Sequence, residues 1–267
     1  MKRSAAVAGQ FYYDDSSRLF QQVEQYVDIR AVKEDAIGII SPHAGLIYSG
    51  AVAGATYSSI KFPETFVLLG PNHTGLGPPI SLMGEGEWEI PTGTFKIDRK
   101  LAGRIALNTP LVTRDSQAHI FEHSLEVQLP FLSYFSKDVK IVPITMLNAS
   151  FDDCIELAEG IAKAVKSVDY SVVLAASSDM SHYLPDRIAR QHDGIAINKI
   201  LEINPRAFYE TIRKEKISMC GYIPATVMIH AAKLLGADSG RLIKYMTSGE
   251  VSGDFESVVG YAGIILK

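Results

Sequence analysis

AIGIISPHAG (36–45), TFVLLGPNHTG (65–75) and SVVLAASSDMSHY (171–183) share one construction: an apolar, β-favouring run that stops in a short polar turn carrying a histidine. Continuous Val/Ile/Leu runs mark strands covered on both faces, as in parallel sheets. Ligands of open α/β sheets bind in the crevice beyond the carboxyl ends of such strands. Neighbouring strands lie about 4.8 Å apart, so His43, His73 and His182 are candidates for one shared site.

Outward from these three runs, apolar periodicity predicts a helix near 17–30, a strand at 36–41, a helix from about 49 to 60 and a strand at 65–70. Between Gly75 and Lys100 the alternation breaks. Gly77, Gly84, Gly86 and Gly93 punctuate short β-like pieces around PISLM, EWEI and TFKI, which predicts an antiparallel excursion or a lid over the sheet's edge. Trp88 in this stretch is either a lid anchor or a packing residue.

DRKLAGRIAL, a helix opening at EHSLEVQLPFL, a strand at 139–146 and a helix at 152–168 come next. After the strand SVVLAAS, helices are expected near 186–202 and 204–215 and in ISMCGYIPATVMIHAAKLLG, where Pro224 suits a first turn. RLIKYMTSG and SVVGYAGIIL read as closing strands. No linker or repeat divides the chain, so the expectation is one α/β domain over 1–267, with a central mixed, largely parallel sheet flanked by helices.

A net charge of -4 with 21% charged residues is too balanced for a polyanion-binding surface, which excludes nucleic acid as an expected partner. Cys154 and Cys220, the two cysteines, stand in different settings; this argues against a disulfide framework and fits a reducing cytoplasm. Gly9 and Gln10 interrupt the apolar N-terminal stretch, and no long apolar span follows, so neither secretion nor a membrane is expected.

His43 lies between Pro42 and Gly45 in a tight turn, and His73 sits in a similar frame, GPNHTG. Each could be a plain loop or capping histidine; together, on adjacent strand ends, they make a metal platform. SSDMSHY offers two readings. A serine with Asp179 and His182 could form a hydrolytic relay, but the chain has no G-x-S-x-G elbow. The favoured reading makes His182 a general base or substrate-orienting group, with Asp179 as its partner or as a simple turn cap.

EHSLEVQLPFL places Glu122 and His123 at a predicted helix start, with Glu126 on the same face as His123. Cys220 precedes a glycine and a predicted helix start, where a thiolate is favoured, although a buried inert thiol is the ordinary alternative. Tyr48, Tyr183 and Tyr222 read as pocket walls. His119 reads as a loop residue, His192 and His230 as structural, and Cys154 as core. No Walker A loop, dinucleotide-binding glycine fingerprint or C-x-x-C pair is present.

In order, AVAGQFYY, SPHAGLIYSG, GPNHTG, EHSLEVQLPFL, SSDMSHY and MCGYIPA resemble the Memo family, whose prokaryotic members are called AmmeMemoRadiSam system protein B. The resemblance runs from about residue 5 to the C-terminal strands. It implies a fold like that of class III extradiol dioxygenases of the LigB type, non-haem iron enzymes that cleave catechol rings using two histidines and a glutamate.

By that resemblance His43 and His73 correspond to the histidine ligands. Cys220 falls where the Memo family has a cysteine instead of the carboxylate, and His123 and His182 correspond to pocket histidines with catalytic roles. A thiolate is softer than a carboxylate and suits copper, zinc or thiolate-tolerant iron, which speaks against ring cleavage itself.

The resemblance thus implies a cytoplasmic metal-binding protein with a divalent or redox metal ion, iron or copper ahead of zinc, acting as an oxidoreductase on a small molecule. Two alternatives stand beside it. One is a non-catalytic adaptor holding a peptide or small ligand in the same cleft. The other is a metal-dependent hydrolase with Glu126 or His182 as base.

Overall fold

The computed structural model describes residues 1–267, and its first secondary structure is a short strand, β1 (Lys2–Arg3), followed by α1 (Ser16–Glu24). Next come β2 (Gly38–Ser41), α2 (Leu46–Ser58) and β3 (Thr65–Pro71), and then the short strands β4 (Ile80–Leu82), β5 (Glu87–Ile90) and β6 (Gly93–Lys96). The middle of the chain holds α3 (Arg99–Asn108), β7 (Thr113–Arg114), α4 (Leu129–Phe135), β8 (Lys140–Met146) and α5 (Phe151–Lys166). It closes with β9 (Val172–Ser177), β10 (His182–Leu184), α6 (Asp186–Leu201), α7 (Pro205–Lys214), α8 (Tyr222–Leu234), β11 (Gly240–Thr247), α9 (Gly249–Ser252) and β12 (Val258–Leu266).

The main sheet runs β10-β12-β2-β9-β3-β8-β4-β7, with β11 paired to β12. Its centre, β2-β9-β3-β8, is parallel, while β12 and β4 join antiparallel on either side. Every residue of β2 and β3 is buried, which is why these strands read as unbroken apolar runs. The chain passes from β2 through α2 to β3 and leaves room for β9 to insert between them. The carboxyl ends of three adjacent strands therefore open into one crevice. The α/β fold with a mixed, largely parallel sheet is the one expected.

The excursion after Gly75 divides. β4 and β7 extend the main sheet at its edge, whereas β5 and β6 form a separate three-stranded sheet with β1. Trp88 is fully buried with the Arg3 guanidinium 4.1 Å above its ring, so it is a packing residue and not a lid anchor. The predicted helix opening at EHSLEVQLPFL is also corrected. Residues 126–128 form a 3-10 turn and the α-helix begins at Leu129, where Pro130 occupies a first-turn position that needs no N–H.

That irregular stretch is pinned by the N-terminal segment. The fully buried Glu126 carboxylate pairs with Arg3 at 2.5 Å and accepts from the Ala6 and Val7 amides and the Tyr12 hydroxyl. Arg3 also donates to the carbonyls of His119 and Glu122. With all its acceptor capacity committed to structure, Glu126 is not a general base. No helix is long and apolar enough to cross a membrane.

Candidate metal centre

His43 stands two residues beyond β2, His73 two residues beyond β3, and His123 in the turn before α4. The turns bring one ring nitrogen from each to within 4.8 Å of the others, a group able to hold a metal ion. Ring centroids lie 5.3 Å apart for His43 and His73, 5.4 Å for His43 and His123, and 4.7 Å for His73 and His123, the last pair nearly parallel.

Two of the three imidazoles, those of His43 and His73, are oriented by a hydrogen-bond acceptor. The Ser177 hydroxyl donates to the Ser124 carbonyl at 2.6 Å and accepts from Gln128 Nε2 at 3.0 Å. Its single proton is therefore spent, and its 2.8 Å contact with His43 Nδ1 makes that nitrogen the donor. Gln128 is held in turn, since its Nε2 donates to the Pro42 carbonyl and its Oε1 accepts from the Tyr57 hydroxyl. His73 Nδ1 meets Glu122 Oε1 at 2.9 Å, and His123 Nδ1 lies 3.5 Å from the same oxygen. With Nδ1 engaged in a hydrogen bond, the His43 and His73 rings each present an Nε2 lone pair, the arrangement in which ligating histidines are usually held.

Glu122 is fully buried and carries more of this geometry than its sequence context suggested. Besides the His73 imidazole it accepts from the backbone amides of His73 and Ser124. Burial opposes its charge, but the His73 hydrogen bond and charge, the Ser124 amide and the nearby His123 outweigh it and hold the carboxyl down to about 2. Burial, together with the neighbouring imidazoles, pushes His43 well below the ordinary histidine range, so its ring is neutral.

Cys220 Sγ lies 3.3 Å from His43 Nε2. It accepts from the Asp179 amide at 3.3 Å, and burial followed by the Asp179 charge pushes its thiol up to about 12. The next residue, Gly221, packs where no larger residue fits: a Cβ there would meet the Ser177 carbonyl at 2.3 Å.

Asp179 partners His43, not His182: its Oδ1 accepts from the His43 amide at 2.8 Å and the Ala44 amide at 3.3 Å. His182 is oriented by Ser218 instead, with its Nδ1 2.8 Å from the Ser218 carbonyl and its amide bonded to the Ser218 hydroxyl, which leaves Nε2 free. His43, His73, His123, His182 and Cys220 all line one cleft of about 490 Å³.

The other residues noted in the sequence divide between the cleft and the rest of the fold. Tyr183 lines the cleft, but Tyr48 and Tyr222 do not, and Tyr222 packs against Tyr209. His119, read as a loop residue, ends a short 3-10 turn and is fully buried against Trp88. Cys154 is core, with its thiol pushed up to about 12 by burial. His192 and His230 are outside the cleft. Glu122 and Ser177 lie within motifs the sequence singles out, but their roles carried no signal, since ordering a ligand from behind is a relation between residues distant in the chain.

The family model described as "Memo-like protein" matches residues 3–265. A MEMO1 family protein of Methanocaldococcus jannaschii is 39% identical over 284 residues, covering 99% of each chain. One from Pyrobaculum aerophilum is 41% identical over 275 residues, covering 98% of each. Among solved structures, an uncharacterized protein of Escherichia coli K12 shares the fold with a TM-score of 0.61 at 14% identity, covering 85% of this chain and 98% of that one. With full-length matches in both the family model and these archaeal relatives, the chain belongs to the Memo-like protein family.

Proposed function

We propose that this protein holds a divalent or redox-active metal ion on His43, His73 and His123, with Cys220 as an adjacent sulfur donor, and that it acts as an oxidoreductase on a small molecule in the cleft. The observation that supports this reading is the set of three imidazoles with one ring nitrogen of each converging within 4.8 Å, His43 and His73 having their Nδ1 atoms tied to Ser177 and Glu122. Imidazoles beside a potential thiolate favour copper or thiolate-tolerant iron, with zinc next. A bound ion would supply Lewis acidity or an electron-transfer position.

The remaining chemistry belongs to the chain. Cys220 hydrogen-bonds to His43 Nε2 as a thiol and must give up that proton before sulfur can ligate. His182, with Nε2 free and Nδ1 held by the Ser218 carbonyl, is the group placed to take or give a proton at a ligand in the cleft. This reading makes His123 a ligand and leaves His182 as the acid-base group. It narrows the hydrolase alternative to His182 as base, because Glu126 is committed to Arg3. A cytoplasmic setting with a small molecule or a peptide as the partner in the cleft fits the same reading.

Elemental analysis after anaerobic reconstitution with Fe(II), Cu(I) or Zn(II) tests it. Wild type should retain a stoichiometric metal, His43→Ala, His73→Ala and His123→Ala should lose it, and Cys220→Ser should bind it more weakly. Equal metal in wild type and the three histidine variants would refute the ligand set. Absence of metal from wild type would leave the cleft as a binding groove, the adaptor alternative. Metal-dependent oxygen consumption or dye reduction by the loaded protein, lost in His182→Ala, tests the redox part.

A further inference from the structure

Three non-glycine residues adopt left-handed backbone: Tyr183 (φ 58°), Ile203 (φ 48°) and Lys216 (φ 52°). Two of them are explained by helix ends. Ile203 follows α6 and Lys216 follows α7, and the next amides close back onto the helices, Asn204 to the Lys199 carbonyl at 3.5 Å and Ile217 to the Ile212 carbonyl at 3.0 Å. Such closures satisfy helix carbonyls and offset the left-handed residue.

Tyr183 follows no helix. It is the middle residue of β10, where the pairing with β12 shifts register between His182 and Leu184. A bulge of this kind re-aims a side chain, and left-handed backbone costs energy in any residue with a Cβ. The phenol it presents is 77% exposed, so folding recovers almost nothing by burying it. The ring does not point at random into solvent: it lines the metal cleft, its centroid 5.9 Å from that of His182. Strain of this kind, not offset by burial of the phenol, points to a binding role.

The cleft also fixes the class of ligand. Phe11 packs on His123 with centroids 4.8 Å apart, so an aromatic ring stands beside His123 as well as beside His182. No lysine or arginine lines the cleft, and Asp179 does. An anionic body would find no cationic partner among those side chains, whereas a flat uncharged one could pack on the rings. We infer that Tyr183 is a specificity-determining wall of this cleft, recognising a ligand that joins a metal-binding head to a flat, uncharged body. This inference rests on the metal reading given above.

Simple hydroxamic acids isolate the body from the head. Acetohydroxamate, hexanohydroxamate and benzohydroxamate share one metal-binding group and differ in what reaches beyond it. Titrated into Co(II)-loaded protein and followed by the visible Co(II) spectrum, benzohydroxamate should bind about tenfold more tightly than acetohydroxamate, and more tightly than the flexible hexano analogue.

Tyr183→Phe should keep the preference. Tyr183→Gly should abolish it while raising the thermal midpoint of the metal-free protein by a few degrees, as relief of backbone strain requires. An unchanged preference in Tyr183→Gly, no preference in wild type, or a lowered midpoint would each overturn the inference. Failure of wild type to take up Co(II) would bring down the metal reading and this inference with it; Co(II) uptake with no role for Tyr183 would count against this inference alone.

Discussion

Glu122 shows how much of this site rests on a single carboxylate. It orients His73 through both the ring and the amide, and the same Oε1 faces His123 Nδ1. Glu122→Gln keeps the size of the side chain but removes its charge, and an amide NH2 in place of Oε2 cannot accept from the His73 amide as the carboxylate does. Metal affinity should fall by about 10–100-fold, measured by competition with a chelator of known affinity, with the far-UV spectrum unchanged. Affinity equal to wild type would mean that the two imidazoles orient themselves. Ser177 does for His43 what Glu122 does for His73, but with a neutral hydroxyl whose proton is already spent on Ser124.

Among the elements, α8 sets the position of Cys220, because its first residues fit against the end of β9. A Cβ on Gly221 would meet the Ser177 carbonyl at 2.3 Å and the Ser178 Cβ at 2.5 Å. Both are inflexible, so Gly221→Ala must move the start of α8 and carry the thiol away from His43. The expected cost is about 1–3 kcal/mol in urea unfolding, together with weaker metal binding. Ser150→Ala is the matched control. It removes the capping box of α5, which contributes no cleft residue, and should lose about 1 kcal/mol with metal content intact. Equal loss of metal in both variants would mean that general destabilisation, and not the placement of Cys220, governs binding.

For the whole molecule, the N-terminal segment is a structural strap. β1 joins the small sheet, Arg3 reaches Glu126 and the carbonyls of the 119–122 turn, and Trp88 is covered by the same guanidinium. This packing buries His119, whose pKa is pulled from 6.5 to about 4, first by burial and then by the Arg3 charge. Between those values the unfolded chain binds the proton and the folded protein refuses it. Stability is therefore full above pH 6.5 and falls as pH drops toward 4, by up to about 3 kcal/mol from this residue. Urea titrations at several pH values should show a shallower acid-side slope for His119→Gln than for wild type. Parallel slopes would assign the acid sensitivity elsewhere.

The sequence alone determined the parallel centre of the sheet, because strands buried on both faces must be apolar at every position and so announce themselves as runs such as FVLLG and VVLAA. It also determined that histidine turns at their ends would share a crevice. The three-dimensional structure decided the rest: that His123 groups with His43 and His73, that Glu122 and Ser177 order them, that Glu126 is a strut, and that Tyr183 is held in strained backbone at the mouth of the cleft. The reason is physical. Hydrophobic periodicity is a local property written in successive residues, whereas a hydrogen bond spanning 134 residues from His43 to Ser177, or a φ of 58° fixed by a bulge against a distant strand, exists only once the chain has folded.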